Sequence, residues 1–159
     1  MKRRLALGLG AIALIAVVAA LNAGHRSATD GVAATPRRAT AAARATIQDR
    51  DAALSRAFER HERDVVVEGE GIVSRVLADD REGSRHQRFI LRLSSGQTVL
   101  VAHNIDIAGR IASLEKGDTV AFRGEYVWNA AGGVVHWTHG DPAGRHPAGW
   151  IKHHGETYR

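Results

Sequence analysis

The stretch Val65-Val66-Val67-Glu68-Gly69-Glu70-Gly71-Ile72-Val73-Ser74-Arg75-Val76-Leu77 marks the point where the chain changes period. Before it, apolar residues recur at helical spacing. From Val65 onward β-branched residues cluster and alternate with polar ones, which predicts a long strand, kinked by its two glycines. Asp79 to Gly83 reads as a turn, and His86 to Leu93 as a second strand. Phe89, Leu91 and Leu93 share one face of it, and His86, Arg88 and Arg92 the other. Ser94-Ser95-Gly96 turns the chain into a third strand, Gln97 to His103. The spacing of Ile105, Ile107, Ile111 and Leu114 predicts a short helix, closed by the turn Lys116-Gly117-Asp118. Val120, Phe122, Tyr126 and Trp128 share one face of a fourth strand. Asn129 to Gly133 forms a hairpin turn, and Val134 to Thr138 a fifth strand. The tail from Gly140 is expected to be loop-like, with Trp150 and Ile151 as anchors.

Three strands, a short helix and two more strands is the element order of the OB-fold, a five-stranded, partly open Greek-key barrel. The expected class is therefore mostly β, with a small OB-fold-like barrel over 65–159. Upstream, Thr46 to Arg63 predicts an amphipathic helix within 45–64. Thr46 and Asp49 fit a capping box, and Ile47, Leu54 and Phe58 lie on one face. Residues 24–44 hold Ala, Thr and Arg with Pro36 and almost no large apolar side chains, which predicts a flexible tether. Residues 1–23 carry Lys2, Arg3 and Arg4 ahead of an uncharged run of 17 residues from Leu5 to Leu21. Positive residues before an apolar run predict a signal peptide or an N-terminal membrane anchor, placing the rest of the chain outside the cytoplasm.

Charge divides unevenly along the 159 residues. Residues 1–64 hold 11 Lys/Arg and 6 Asp/Glu, while 65–159 hold 11 of each. The net +5 thus belongs to the leader, the tether and the helix. The barrel has no electrostatic reason to prefer a polyanion, so nucleic acid is not an expected partner. The chain has no cysteine, which excludes disulfides, thiolate metal sites and thiol nucleophiles. Seven of the nine histidines fall within 65–159, and they direct the search for a site.

With the turn at Ser95-Gly96, partners across the second and third strands sum to about 190 or 191, which places His86 across from Asn104 or Ile105 and near His103. In this topology the fifth strand runs parallel to the third, so its end, with His136 and His139, reaches the same pole. Asp79 and Asp80 lie there too, while Trp128 and Asn129 belong to the opposite pole. Imidazoles gathered with a carboxylate match the ligands of a divalent metal such as zinc or copper, so His86, His103, His136 and His139 are the candidate metal ligands. Arg88, Asn104 and Trp137 are the candidates for contact with a small polar ligand. His136 and His139 can share a side only if the strand ends near Trp137. Each residue has a plainer reading. Rim histidines are often solvated, Asn104 and Asp106 can cap the short helix, and Asp141-Pro142 can be only a turn. Trp137 and Trp150 can be packing residues, Arg88 and Arg92 a solvated strand face.

The strings HQRFI (86–90), HNID (103–106), GEYVWN (124–129), GGVVHWTH (132–139) followed by Asp141-Pro142, and GWIKH (149–153) together resemble a bacterial family of unknown function, number 3465 in the domain-of-unknown-function series. The likeness covers Val65 to Tyr158 and implies no activity, cofactor or catalytic residue. The family pattern has a histidine or similar residue after His139, where this chain has Gly140. A leader, a tether, an OB-type barrel and the spacing His154 to Tyr158 also resemble, as architecture alone, the periplasmic haem chaperone of cytochrome c maturation. The proline that follows the tyrosine in that family is absent at Arg159.

Three functional readings follow. The favoured one is a binding module using the His-rich pole for a metal or a small polar ligand. The second is a metal-dependent hydrolase of phosphodiesters or esters, with the four histidines around a catalytic ion and Asp80 or Asp141 as base. The third is a protein-binding barrel whose histidines are structural.

Overall fold

The structure is a computed structural model that describes residues 36–159, side chains 36–39 and 42 excepted. The expected leader (1–23) and the first part of the expected tether (24–35) lie outside the described residues. Helix α1 (Pro36–Glu59) precedes seven strands: β1 (Arg63–Val76), β2 (His86–Arg92), β3 (Thr98–Asn104), β4 (Thr119–Val127), β5 (Val134–His136), β6 (Trp150–His153) and β7 (Glu156–Tyr158).

The helix begins ten residues before Thr46 and takes in 36–44, which corrects the expected tether over those residues. Proline at a first helical position has a preset φ and no N–H to satisfy, and the Ala- and Arg-rich stretch after it has high helix propensity. Thr46 is therefore mid-helix and not an N-cap. Asp51, Leu54 and Ala57 form the buried face of α1, with Phe58 packed beside it. At the C-terminus His61 takes a left-handed φ of 54°, and the Glu62 N–H donates to Ala57 O at 2.9 Å, a Schellman-type ending.

The barrel closes in the order β1-β2-β3-β5-β4, with β4 pairing back onto β1. This is the five-stranded OB topology that the element order implied. β1 is long enough to serve two neighbours: Arg63–Ile72 pairs with β4, and Ile72–Val76 with β2. At Gly71 a Cβ would stand 2.9 Å from Arg92 O, so the bend that lets β1 change partner needs glycine. β2 and β3 are antiparallel with His86 opposite Asn104, and β3 and β5 are parallel, both as the sequence predicts. Inside lie Val67, Val73, Phe89, Leu91, Val99, Val101, Val120, Phe122, Tyr126, Val135 and Ile151. Each large apolar side chain buried this way contributes roughly 1.5–3 kcal/mol.

Two expectations are corrected. Residues 105–118 form turns and no helix. Gly109 and Ser113 take positive φ of 73° and 53°, which breaks helical continuity, and Ile107 is exposed while Ile111 and Leu114 are buried. The tail is not loop-like at its end. β6 and β7 form a hairpin that adds to β4 through Val120↔His153 to Arg123↔Trp150. Ile151 is fully buried, and half-buried Trp150 receives the Lys152 ammonium 4.6 Å from its ring centroid.

Candidate functional site

β5 and β6 both pair with β4, β5 at Glu125–Val127 and β6 at Val120–Arg123. Between them the chain leaves the sheet for 13 residues, 137–149. Trp137 starts this excursion with a φ of 48°, a rare conformation for a bulky residue. The turn at Trp137 ends the strand and lets His136 and His139 reach the same cavity.

That cavity is about 400 Å3, and its wall includes His86, Asn104, His136, Trp137, His139, Arg145 and His146. His86 comes from the first residue of β2 and Asn104 from the last of β3. His136 ends β5, and the rest belong to the excursion. Five of the residues proposed from sequence thus meet: His86, His136, His139, Asn104 and Trp137. Arg145 and His146 were missed, because after Asp141-Pro142 the sequence has no periodicity to place them. The signal lay in Asp141 itself. Its carboxylate accepts the N–H groups of Ala143 (2.9 Å) and Arg145 (2.6 Å) and pairs with the Arg145 guanidinium. Those bonds fold the excursion back on itself and hold the Asp141 carboxyl down at about 2. His146 then stacks on Trp137, with ring centroids 4.4 Å apart and planes 23° apart, and meets His139 edge-on at 5.0 Å.

His103 and Arg88 lie elsewhere. His103 points into the barrel and is fully buried. Its Nε2 lies 3.0 Å from Gly109 O and its Nδ1 2.8 Å from Thr138 Oγ1. A carbonyl can only accept, so Nε2 carries the proton and donates, and Nδ1 accepts from the Thr138 hydroxyl. Both nitrogens are engaged, so His103 offers no lone pair to a metal in this arrangement. Burial is the main cause that drives its pKa down to about 4. Neighbouring residues on a strand face opposite ways, which is why His103 is inside while His86 and Asn104 reach the cavity. Arg88 donates from Nε to Ala78 O at 3.1 Å, towards the β1–β2 loop.

His136 is the half-buried hinge of the site. Its Nε2 lies 3.3 Å from Glu125 Oε1, its direct partner across β4 and β5. The approach is close enough for an ion pair but misaligned for a hydrogen bond, and His136 Nε2 is buried without a hydrogen-bond partner. Burial lowers the His136 pKa, against the opposing pull of Glu125 and Asp64. A second, more open cavity of about 630 Å3 shares His86 and His136 and extends to Asp80, Trp128 and Asn129. Trp128 and Asn129, expected at the far pole, therefore lie along the same outer face. The Trp128 indole N–H is buried and unpartnered.

As bases, the two aspartates differ. Asp141 is fully committed to the excursion and too acidic to serve at neutral pH. Asp80 faces the second cavity and accepts the Glu82 N–H at 3.1 Å. As metal ligands, no three of the proposed histidines bring their ring nitrogens within 4.8 Å of one another, although His86, His136 and His139 line one cavity. Among the described residues, the grouping of three His or carboxylate donors within 4.8 Å is Asp118, His153 and His154, outside this cavity. His154 sits at the tip of the β6–β7 hairpin and Tyr158 pairs with Ile151 at its base, so these two do not converge. No helix among the described residues is long and apolar enough to cross a membrane.

Among curated proteins no sequence matches this chain. A family model described as "Protein of unknown function (DUF3465)" matches residues 38–159, taking in most of α1 as well as the barrel, and the chain belongs to that family.

Proposed function

We propose that the protein is a binding module held outside the cytoplasm, whose His-lined cavity takes a small anionic ligand with a flat, unsaturated part. The observation that carries this reading is the composition of the 400 Å3 cavity: four imidazoles, a guanidinium and an indole, with no carboxylate in its wall. Its volume suits a small molecule, for which pockets run ~300–1,000 Å3. Burial lowers the His136 pKa, so Arg145, held by Asp141 at the cavity wall, is the permanent cation there, and the imidazoles offer hydrogen-bonding groups. The stacked Trp137–His146 pair offers a flat face. His136 lines both cavities, and its buried Nε2 without a hydrogen-bond partner supports a polar ligand in contact with this residue. A metal in this cavity is the weaker ligand class, since no three of its imidazoles bring their ring nitrogens within 4.8 Å of one another. Supporting the location are the positive residues and apolar run at the N-terminus.

The test uses benzoate, pyridine carboxylates and inorganic phosphate as probes, followed by imidazole NMR and Trp fluorescence. Saturable binding should move the signals of His86, His136, His139 and His146, and Arg145→Ala should weaken it about tenfold, ~1.4 kcal/mol. Probes that bind without touching those four signals, or equally well to Arg145→Ala, would sink the proposal.

A further inference from the structure

The β6–β7 hairpin carries a second group of donors that the cavity does not use. His153 ends β6 and is buried, and His154 follows at the hairpin tip with a φ of 47°. Successive residues on a strand point to opposite faces. The left-handed turn at His154 cancels that alternation, and the two rings stack with centroids 3.9 Å apart and planes 26° apart. Both then address one carboxylate. His153 Nε2 lies 2.8 Å from Asp118 Oδ2, and His154 Nε2 lies 3.8 Å from Asp118 Oδ1. Asp118 comes from the loop before β4, 35 residues from His153 in sequence. It is held from behind: the Glu115 N–H donates to Oδ2 at 2.8 Å, and its backbone carbonyl accepts the Val73 N–H at 2.8 Å.

From this geometry we infer that Asp118, His153 and His154 form a binding site for a divalent transition-metal ion, with copper(II) preferred over zinc. Two imidazole nitrogens and one carboxylate oxygen are a borderline donor set of the kind these ions take, and affinity for such sites peaks at copper. Metal bonds of ~2.0–2.1 Å set neighbouring donors roughly 2.9 Å apart at a tetragonal centre such as copper(II) and roughly 3.3 Å apart at a tetrahedral one. The observed gaps of 2.8 and 3.8 Å straddle both separations. The two gaps run to different oxygens of Asp118, and adjustment of the carboxylate and of the exposed His154 ring brings the donors to bonding separation. The Glu115 N–H is the outer partner that orients a ligating carboxylate. His154 is two-thirds exposed, so the remaining coordination positions open to water. Bound there, the ion would tie the tail hairpin to the β3–β4 loop. The site does not depend on the cavity described above.

The experiment is titration of the full chain, purified without a polyhistidine tag, with copper(II) and with zinc(II). Calorimetry and electron paramagnetic resonance follow the binding, and circular dichroism confirms that each variant is folded. One copper(II) per chain is expected, with the nitrogen splitting of two imidazoles and a raised melting temperature. His154→Ala and Asp118→Asn, both at positions that spare the core, should each lower copper affinity at least tenfold. His139→Ala and His146→Ala should leave it unchanged. The inference is overturned if copper does not saturate at one equivalent, if His154→Ala binds as the parent does, or if the loss appears in His139→Ala or His146→Ala instead.

Discussion

Gln87 and His103 are direct partners in the β2–β3 ladder, and both fasten the same loop. The Gln87 amide donates to Ile111 O at 3.2 Å and accepts the Ile111 N–H at 2.9 Å, while His103 Nε2 donates to Gly109 O. The loop from 105 to 118 has only isolated turn bonds, Ala108 N–H to Asn104 O and Asp118 N–H to Glu115 O, and this buried polar pair supplies part of what a helix would have provided.

His103 makes stability depend on pH. Its folded pKa of about 4 lies below its ordinary 6.5, so the unfolded chain binds more protons between those values. Its contribution is therefore full above pH 6.5 and declines as pH falls towards 4. The shift corresponds to an order of ~3 kcal/mol. Urea unfolding at pH 7.0 and pH 4.5 should show the loss, and the His103 ring protons should titrate near 4. A midpoint at 6 or above would mean the ring is not held as described.

Asp51 fastens the helix to the barrel. Its Oδ2 accepts the N–H and hydroxyl of Ser94 and, at 3.3 Å, the N–H of Ser95, capping the β2–β3 turn from a buried position. Asp51→Ala should cost roughly 3 kcal/mol, since it strips a charged acceptor from several donors at once. Chemical denaturation measures this, and a change under 1 kcal/mol would show that water replaces the carboxylate.

Glu125 holds the His136 titration up against burial. Glu125→Gln should therefore move the His136 midpoint further below its ordinary value, while the parent already titrates below 6.5. Proton NMR of the imidazole reads both. An upward movement in the variant would contradict the pairing across β4 and β5.

Gly149 closes the excursion. A Cβ there would stand 2.1 Å from Trp137 O and 2.6 Å from Arg123 O. Both are backbone atoms, so Gly149→Ala should cost about 2–3 kcal/mol and displace Trp137. Thermal melting and Trp emission should change together. Unaltered emission would separate Gly149 from the cavity.

The barrel was legible because its signals are local. Period-two alternation and the Ser95-Gly96 turn narrow the partner of His86 to Asn104 or Ile105, and the ladder takes Asn104. The tail hairpin was not, since strands of four and three residues carry too few alternations to stand out from loop. Pro36 is a helix-start signal masked by the Ala-, Thr- and Arg-rich composition around it. At the site, topology brought His86, Asn104 and His136 together as expected. His103 failed on the parity of its strand, and Arg145 and His146 on an aspartate-capped turn whose consequences are tertiary.

β5 and β6 line up along the same edge of β4 like the two halves of one interrupted strand, and the interruption supplies Trp137, His139, Arg145 and His146 to the cavity wall. Because β4 clamps both stubs, the pairing of the sheet itself does not run through the residues between them. The insert is thus separable from the frame at most of its thirteen positions and pinned at two: Thr138, which bonds the buried His103, and Gly149, which has no room for a Cβ.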